Sequence, residues 1–193
     1  MRKMFFLVLA AVALLLMVPT QNAQAQPRSE TPKVEVGAQY SLLRLSDFDT
    51  TDNGVGGRVT FNITDGFGVE GEVNFFPEGR INFANLSSSD SRRTQGLFGV
   101  KYGIRSDKAG IFGKFRPGFM HFGQGTPLPG VPASAGQTAF ALDIGGVFEL
   151  YPLRSVALRF DVGDTIIRFN NIPLTAPFNS HNLQISTGVG LRF

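Results

Sequence analysis

Apolar and polar residues alternate one by one along eight separate segments of the chain. In the last segment, residues 181–193, every second position from Leu183 to Phe193 forms a largely apolar face, and the positions in phase with Gln184 form a polar one. A period of two residues predicts a β-strand with two unlike faces. Within the fifth strand, Pro117 removes a ladder donor, which predicts a bulge or a local break. The eight predicted strands are 34–42, 55–63, 67–75, 98–105, 110–122, 139–150, 156–163 and 181–193.

The links between these strands alternate strictly between long and short. Each strand is close to the ~9–11 residues that a tilted transmembrane strand needs. The pattern predicts an all-β fold, an eight-stranded antiparallel up-and-down transmembrane β-barrel over residues 33–193, with both chain ends at the rim of the short links. The short links are 64–66, 106–109 and 151–154, and the long links are 46–53, 77–93, 123–136 and 165–180.

Side-chain volume indicates which face of the barrel meets lipid. The apolar positions carry about a dozen Phe and Tyr residues, too much volume for an eight-stranded barrel whose interior is barely wide enough for side chains. The opposite positions carry Gly, Ala, Ser, Thr and Asn with isolated charges, which fit a narrow lumen. We therefore predict an apolar outer surface and a polar interior. A soluble eight-stranded binding barrel with an apolar interior is the alternative.

The first 25 residues have the composition of a secretory signal peptide. Arg2 and Lys3 precede an uninterrupted run of fifteen apolar residues, and Ala23 and Ala25 supply a small-x-small cleavage site. The run is shorter than the ~20 residues that a spanning helix needs, which argues against the alternative of an N-terminal anchor. We expect cleavage after residue 25, followed by a disordered polar leader over 26–32.

Overall composition narrows the function classes. The chain has no Cys, which excludes a disulfide scaffold, thiolate metal sites and a lipid anchor on an N-terminal cysteine. The formal charge of +3 includes Arg2 and Lys3, and without them it falls to +1. A nearly neutral chain gives no indication of nucleic-acid binding.

Charged residues occupy the polar face of the predicted strands. A buried charge without a partner is costly, so the nearly balanced signs suggest a network of ion pairs that plugs the lumen. Alternatively, many of these residues are solvated side chains near the rims. One specific hypothesis is that Arg58 pairs with Glu70 or Glu72 across the adjacent hairpin. The residues of the predicted network are Glu35, Arg58, Glu70, Glu72, Lys101, Arg105, Lys114, Arg116, Asp143, Glu149, Arg159, Asp161 and Arg192.

The signal peptide, the eight amphipathic strands, the alternating links and the closing residues 188–193, GVGLRF, form a recognisable combination. Together they resemble the small bacterial outer-membrane β-barrel proteins of the OmpA-like transmembrane type. The resemblance implies a location in the outer membrane of a Gram-negative cell envelope, with the long links outside the cell. It also implies that Phe193 belongs to the signal read by the insertion machinery.

Two histidines, His121 and His181, are predicted at the rim of the long links. Some eight-stranded outer-membrane barrels are lipid A acyltransferases or deacylases that use a Ser and His pair with an acidic partner. Ser180 and His181 are adjacent, so in a strand they point to opposite faces, which is poor geometry for a nucleophile and its base. We therefore expect no enzyme activity, and a lipid A acyl hydrolase or transferase at the rim is the residual alternative.

Three acidic residues, Asp47, Asp49 and Asp52, cluster in the first long link. Their spacing is similar to the start of a calcium-binding loop, but Arg58 occupies the position where that loop needs a bidentate Glu. We interpret the cluster as a solvated acidic loop, and we expect neither a metal nor a cofactor.

The sequence therefore favours a non-enzymatic, porin-like outer-membrane protein with a role in envelope integrity or in binding through its long loops. A narrow channel for ions or small solutes is the alternative, if the charge network leaves a water path. The expected partners are outer-membrane lipid and lipopolysaccharide, and the barrel-assembly machinery during insertion. The sequence does not identify an extracellular ligand.

Overall fold

The computed structural model describes residues 31–46, 50–77, 81–83, 86–88, 92–123, 136–169 and 177–193. The predicted signal peptide, 1–25, and leader residues 26–30 lie outside these ranges. Among the described residues, no helix is long and apolar enough to span a membrane. The strands are β1 (Val34–Leu45), β2 (Thr50–Asn62), β3 (Phe67–Phe76), β4 (Ile81–Phe83), β5 (Leu86–Ser88), β6 (Arg93–Arg105), β7 (Ala109–Phe122), β8 (Gln137–Leu153), β9 (Val156–Phe169) and β10 (Phe178–Arg192).

Eight of these strands close into one barrel, in the order β1-β10-β9-β8-β7-β6-β3-β2. Every neighbouring pair is antiparallel, so the predicted up-and-down topology is confirmed. Pairing of β1 with β10 closes the barrel and runs from Glu35 opposite Arg192 to Leu45 opposite Asn182. The period-two segment at the end of the chain is therefore the closing strand.

Several strands extend further toward the long-link end than the alternation predicted. β2 already begins at Thr50, and β9 and β10 reach Phe169 and Phe178, so the first and fourth links shorten to 46–49 and 170–177. The polar residues of these extensions were read as link, but side chains such as Thr165 point into the lumen and are buried. In these extensions the polar side chains belong to the interior of the barrel and do not indicate a loop.

The long link between β3 and β6 also contains structure that the sequence did not indicate. β4 and β5 pair with each other as a short two-stranded hairpin, separate from the barrel sheet. They are only three residues each, too short for a period of two to be recognised. The predicted polar link over 77–93 is therefore partly ordered as strand.

Prolines disturb the ladder at two places. Pairing of β6 with β7 is interrupted between Leu97 opposite Gly118 and Val100 opposite Phe115, beside Pro117, and the register is the same on both sides. Pro117 therefore causes a local break and no bulge, because a missing donor does not insert a residue. A register shift occurs instead between β8 and β9, at 150–153, around Pro152.

The outer face of the barrel is apolar and the inner face is polar, as the side-chain volumes predicted. Exposed aromatic side chains surround the barrel, whereas inward-facing charges such as Glu35 and Glu70 are fully buried. The soluble alternative with an apolar interior is wrong for most of the barrel length. The exposed aromatic residues are Tyr40, Phe61, Phe75, Phe98, Tyr102, Phe115, Phe119, Phe140, Phe148, Phe160 and Phe193.

Candidate functional site

The charged interior of the barrel is the candidate functional site. All thirteen residues of the predicted network face the lumen, and together they come from all eight barrel strands. Twelve are buried as whole residues, and the side chain of Arg105 is only 5% exposed. The alternative of solvated residues at the rims therefore does not describe them.

Arg159 binds three carboxylates from three strands. Its Nη1 lies 2.5 Å from Glu70 Oε1 and 3.2 Å from Glu149 Oε1, and its Nε lies 2.7 Å from Asp161 Oδ2. All four side chains are almost completely removed from solvent. A guanidinium suits this position because its donors are spread over a fixed planar fork.

Arg116 forms a second centre beside the first. It contacts Glu72, and its Nη2 lies 2.5 Å from Asp143 Oδ2. The Nζ of Lys114 lies 3.0 Å from Asp143 Oδ2 and 3.3 Å from Asp161 Oδ1, which joins this centre to that of Arg159. A Cβ at Gly163 would lie 2.8 Å from Asp143 Oδ1, so a glycine leaves the room that this cluster needs.

The network extends toward the short-link end through Glu149. Lys101 Nζ lies 2.5 Å and Arg105 Nη2 lies 3.4 Å from the two oxygens of this carboxylate. The Tyr151 hydroxyl donates a hydrogen bond of 2.6 Å to Glu149 Oε2. The connected set has five acids and five bases and is formally neutral: Glu70, Glu72, Asp143, Glu149, Asp161, Lys101, Arg105, Lys114, Arg116 and Arg159.

Arg58 does not form the predicted pair with Glu70 or Glu72. Its Nη2 lies 2.9 Å from Glu35 Oε1, and its Nη1 donates a 3.1 Å hydrogen bond to Gln39 Oε1. Glu72 is directly opposite Arg58 in the β2–β3 ladder, but its carboxylate already accepts from Arg116 and from an amide. The hypothesis is wrong because pairing in a narrow lumen is decided across the barrel and not only between adjacent strands.

A chain of neutral amides lies between the charges and the long-link end. Asn74 Nδ2 donates to Glu72 Oε1 at 2.7 Å and to Gln95 Oε1 at 2.8 Å. Gln95 Nε2 donates to Gln184 Oε1 at 2.9 Å, and the Thr165 hydroxyl donates to the same oxygen at 2.8 Å. Asn74 and Gln184 occupy inward positions of the alternation, as the sequence predicts, but the alternation does not indicate that these amides bind one another.

Above the amides, the lumen is filled by apolar side chains. The inward phase of several strands changes from polar to apolar near the long-link end, as from Ser41 to Leu43 and Leu45 in β1. This layer is not evident from the sequence if each face of a whole strand is assigned one polarity. The layer consists of Leu43, Leu45, Phe76, Leu97, Met120, Ala139, Ala141, Ile167 and Phe169, with Phe122 and Phe178 packed against it.

A separate buried ion pair lies at the same end of the lumen. Arg93 contacts Asp52, both side chains are buried, and the Arg93 guanidinium lies 5.6 Å from the ring centroid of Phe122. The interpretation of Asp52 as part of a solvated acidic loop is therefore wrong. Asp47 and Asp49, the other members of that cluster, lie outside the described residues.

Comparison with protein families decides what kind of barrel this is. Residues 10–193 match the family model described as "Outer membrane protein beta-barrel domain". The chain belongs to this family. No curated protein matches the sequence. Outer-membrane barrels have short periplasmic turns and longer extracellular loops, and by this rule the short links mark the periplasmic end of the barrel and the long links its extracellular end.

Three solved structures have a fold similar to that of this outer-membrane barrel. Ail, the attachment invasion locus protein of Yersinia pestis, has a TM-score of 0.55 and 14% identity, over 86% of this chain and 100% of Ail. Neisserial surface protein A has a TM-score of 0.54 and 16% identity, over 83% and 96%. OprG from Pseudomonas aeruginosa has a TM-score of 0.51 and 11% identity, over 87% and 99%. At these identities the likeness shows the fold alone.

The two histidines of this outer-membrane barrel lie at its extracellular end and on its outer surface. His181 Nδ1 lies 2.6 Å from Asp164 Oδ2, and His121 Nδ1 lies 2.8 Å from the Thr138 hydroxyl. Ser180, by contrast, is buried in the lumen. Ser180 and His181 therefore point to opposite faces of β10, as expected, and do not form a nucleophile and base.

Proposed function

We propose that this protein is a closed outer-membrane barrel that anchors its extracellular links and does not conduct ions. In this role it contributes to envelope integrity or binds an external partner through those links. The observation that carries the proposal is the presence of two layers of buried side chains in the lumen. A neutral ionic network fills the periplasmic half, and an apolar layer fills the extracellular end.

The apolar layer and the ionic network oppose the passage of different kinds of solute. An ion that entered between the apolar side chains would lose much of its hydration shell for few polar partners, which is unfavourable. A neutral solute that passed the apolar layer would meet charged side chains that pair with one another at 2.5–3.3 Å. The ionic network and the apolar layer together support a closed barrel over a narrow channel.

Planar lipid bilayers test the closure directly. We expect the wild-type protein to insert without producing current steps at either polarity. A variant that widens both layers, Phe76→Ala with Met120→Ala and Arg116→Ala, provides the opened control, provided that it keeps the heat-dependent gel shift of a folded barrel. Variants that widen only one layer should remain silent. Regular current steps from the wild-type protein would overturn the proposal in favour of a channel.

The partners follow from the same proposal. The apolar outer belt is suited to outer-membrane lipid, and the polar residues above it, such as Arg44 and His181, are suited to lipopolysaccharide headgroups. Residues 1–25 act as a cleaved export signal, and the barrel-assembly machinery inserts the mature chain. The barrel needs no catalytic residue for this role.

Phe193 serves as the insertion signal in this proposal. Its side chain is 69% exposed, so truncating it removes little packing, while its backbone hydrogen bonds to Val34 do not need the side chain. We expect Phe193→Ala to reduce the folded fraction in the outer membrane of expressing cells several-fold. Phe193→Tyr, which keeps an aromatic ring, should behave like the wild type.

The same variant separates recognition from stability. Purified Phe193→Ala protein refolded from urea into detergent should have the wild-type unfolding midpoint. If the midpoint falls in parallel with the folded fraction in cells, Phe193 contributes to stability and is not a signal.

A further inference from the structure

The interior charges of the described residues do not sum to zero, and the excess is localised. The ten-residue network is neutral, and the pair of Arg93 with Asp52 is neutral. The remaining group consists of one acid, Glu35, and two bases, Arg58 and Arg192. One positive charge is therefore in excess, and this group lies at the periplasmic end of the lumen, where β1 begins and β10 ends.

Arg192 is the weakly paired member of the group. Arg58 takes the short contact with Glu35, at 2.9 Å, whereas Arg192 Nε is 4.0 Å from the other oxygen of the same carboxylate. That distance is too long for a hydrogen bond. The side chain of Arg192 is nevertheless only 6% exposed, so its charge is largely desolvated without a close counter-ion.

A second guanidinium lies on the same aromatic ring. The Cζ atoms of Arg192 and Arg105 lie 4.0 Å and 5.4 Å from the ring centroid of Tyr151. Cation–π contact offsets part of the desolvation, but the Tyr151 hydroxyl already donates to Glu149 and offers these arginines little more. Arg105 has Glu149 as a counter-ion at 3.4 Å, so the weakly compensated charge at this ring is that of Arg192.

Several buried donors around Arg192 lack an acceptor. Among the described residues, Nε of Arg192, Nε and Nη1 of Arg105, and Nε of Arg58 are buried and have no hydrogen-bond acceptor, as is also true of donors of Arg93 and Lys114 elsewhere in the lumen. Glu35 Oε2, the unpaired acceptor in this group, is one oxygen for four donor atoms. Buried donors of native proteins are almost always satisfied, so the group needs an acceptor-rich partner.

We propose that the periplasmic mouth of the barrel binds a small inorganic oxyanion, such as phosphate, at the guanidinium groups of Arg192 and Arg105. A tetrahedral oxyanion supplies the missing charge and several acceptors at once, and guanidinium groups bind it through paired hydrogen bonds. The site opens to the periplasm, since it lies at the ends of β6, β8 and β10. The proposed oxyanion site does not depend on whether the lumen conducts ions.

Arginine side-chain NMR on the whole mature barrel in zwitterionic detergent micelles tests the site. Inorganic phosphate is titrated against chloride at constant ionic strength, and the Nε–H signals of the arginines are followed. We expect the signals of Arg192 and Arg105 to shift saturably. Arg192→Gln should weaken phosphate binding on the order of ten-fold, because a charge-assisted hydrogen-bonding group is lost.

The control is Arg154→Gln, which removes an exposed arginine from the turn after β8 at the same rim. It should keep the wild-type phosphate affinity. Arg192→Gln should also retain or raise the urea midpoint in phosphate-free buffer, because it removes the excess buried charge. Three outcomes would overturn the proposal: shifts that do not saturate, equal weakening by both variants, or Arg192 and Arg105 signals that ignore phosphate because water satisfies their donors.

Discussion

Replacing Arg159 by Gln should lower the free energy of unfolding by about 3–5 kcal/mol, the usual effect of removing one partner of a buried ionic cluster. Arg159 contacts Glu70, Glu149 and Asp161, and all of these side chains are buried. Without it, the ten-residue network would carry five carboxylates against four bases. The loss is large because uncompensated carboxylates remain desolvated, and not because the intact network is strongly stabilising by itself.

Urea unfolding in lipid vesicles, followed by the heat-dependent gel shift, measures the effect. The matched control is Arg168→Gln, since Arg168 belongs to the same strand, β9, but is exposed on the outer face. An exposed arginine contributes about 0–1 kcal/mol. Adding Glu70→Gln to Arg159→Gln should recover part of the loss. Similar small shifts for Arg159→Gln and Arg168→Gln would mean that water, and not the ionic network, compensates these charges.

Alternation was sufficient to predict the architecture because a strand has only two faces. Once Glu70 and Glu72 are assigned to one face of β3 and Phe75 to the other, the limit on how many large rings a narrow lumen can hold decides which face is inside. The same logic identified the closing strand. These inferences need only the local periodicity and the side-chain volumes, and both can be obtained from a single sequence.

Partner choice inside the lumen could not be predicted in the same way. Arg58 is opposite Glu72 in the ladder, yet it binds Glu35, because Glu72 is taken by Arg116 from β7. The competition involves strands that are far apart in sequence and adjacent only across the lumen. Sequence periodicity therefore identified which charges are inside without identifying which pairs they form.

The change from polar to apolar side chains along the axis of the lumen could not be predicted either, because each face of a strand was assigned a single polarity. Leu43 and Leu45 share an inward phase with Ser41, and the change from polar to apolar follows depth along the barrel axis. Asp52 was misassigned for a related reason. Its polar neighbours suggested a loop, whereas its carboxylate is buried in the lumen against Arg93.

Adding a charge to the outer face should destabilise the barrel, whereas in the lumen it is the removal of a paired charge that should do so. The outward positions of β10 allow this to be tested. Val189 lies near the middle of the outward positions that run from Leu183 to Phe193, beside Ala38 and Leu158 in the ladder. Val189→Arg would place a guanidinium in hydrocarbon with no acidic partner at these positions. We expect the free energy of unfolding in vesicles to fall by about 2–4 kcal/mol, the range for arginine near the bilayer midplane of such barrels.

Asn179→Arg is the matched control for Val189→Arg, because Asn179 is an exposed residue at the long-link end of the same strand. An arginine there reaches the headgroups and should lower the free energy of unfolding by only about 0–1 kcal/mol. The difference between the two variants isolates depth, since strand, face and substituted side chain are the same. If both arginines destabilise the barrel equally in vesicles, the apolar belt does not face a bilayer. The same conclusion follows if the difference between the two variants is unchanged in small detergent micelles. A depth-dependent loss in vesicles would establish that the aromatic outer face is solvated by lipid while the lumen it encloses supplies its own counter-ions.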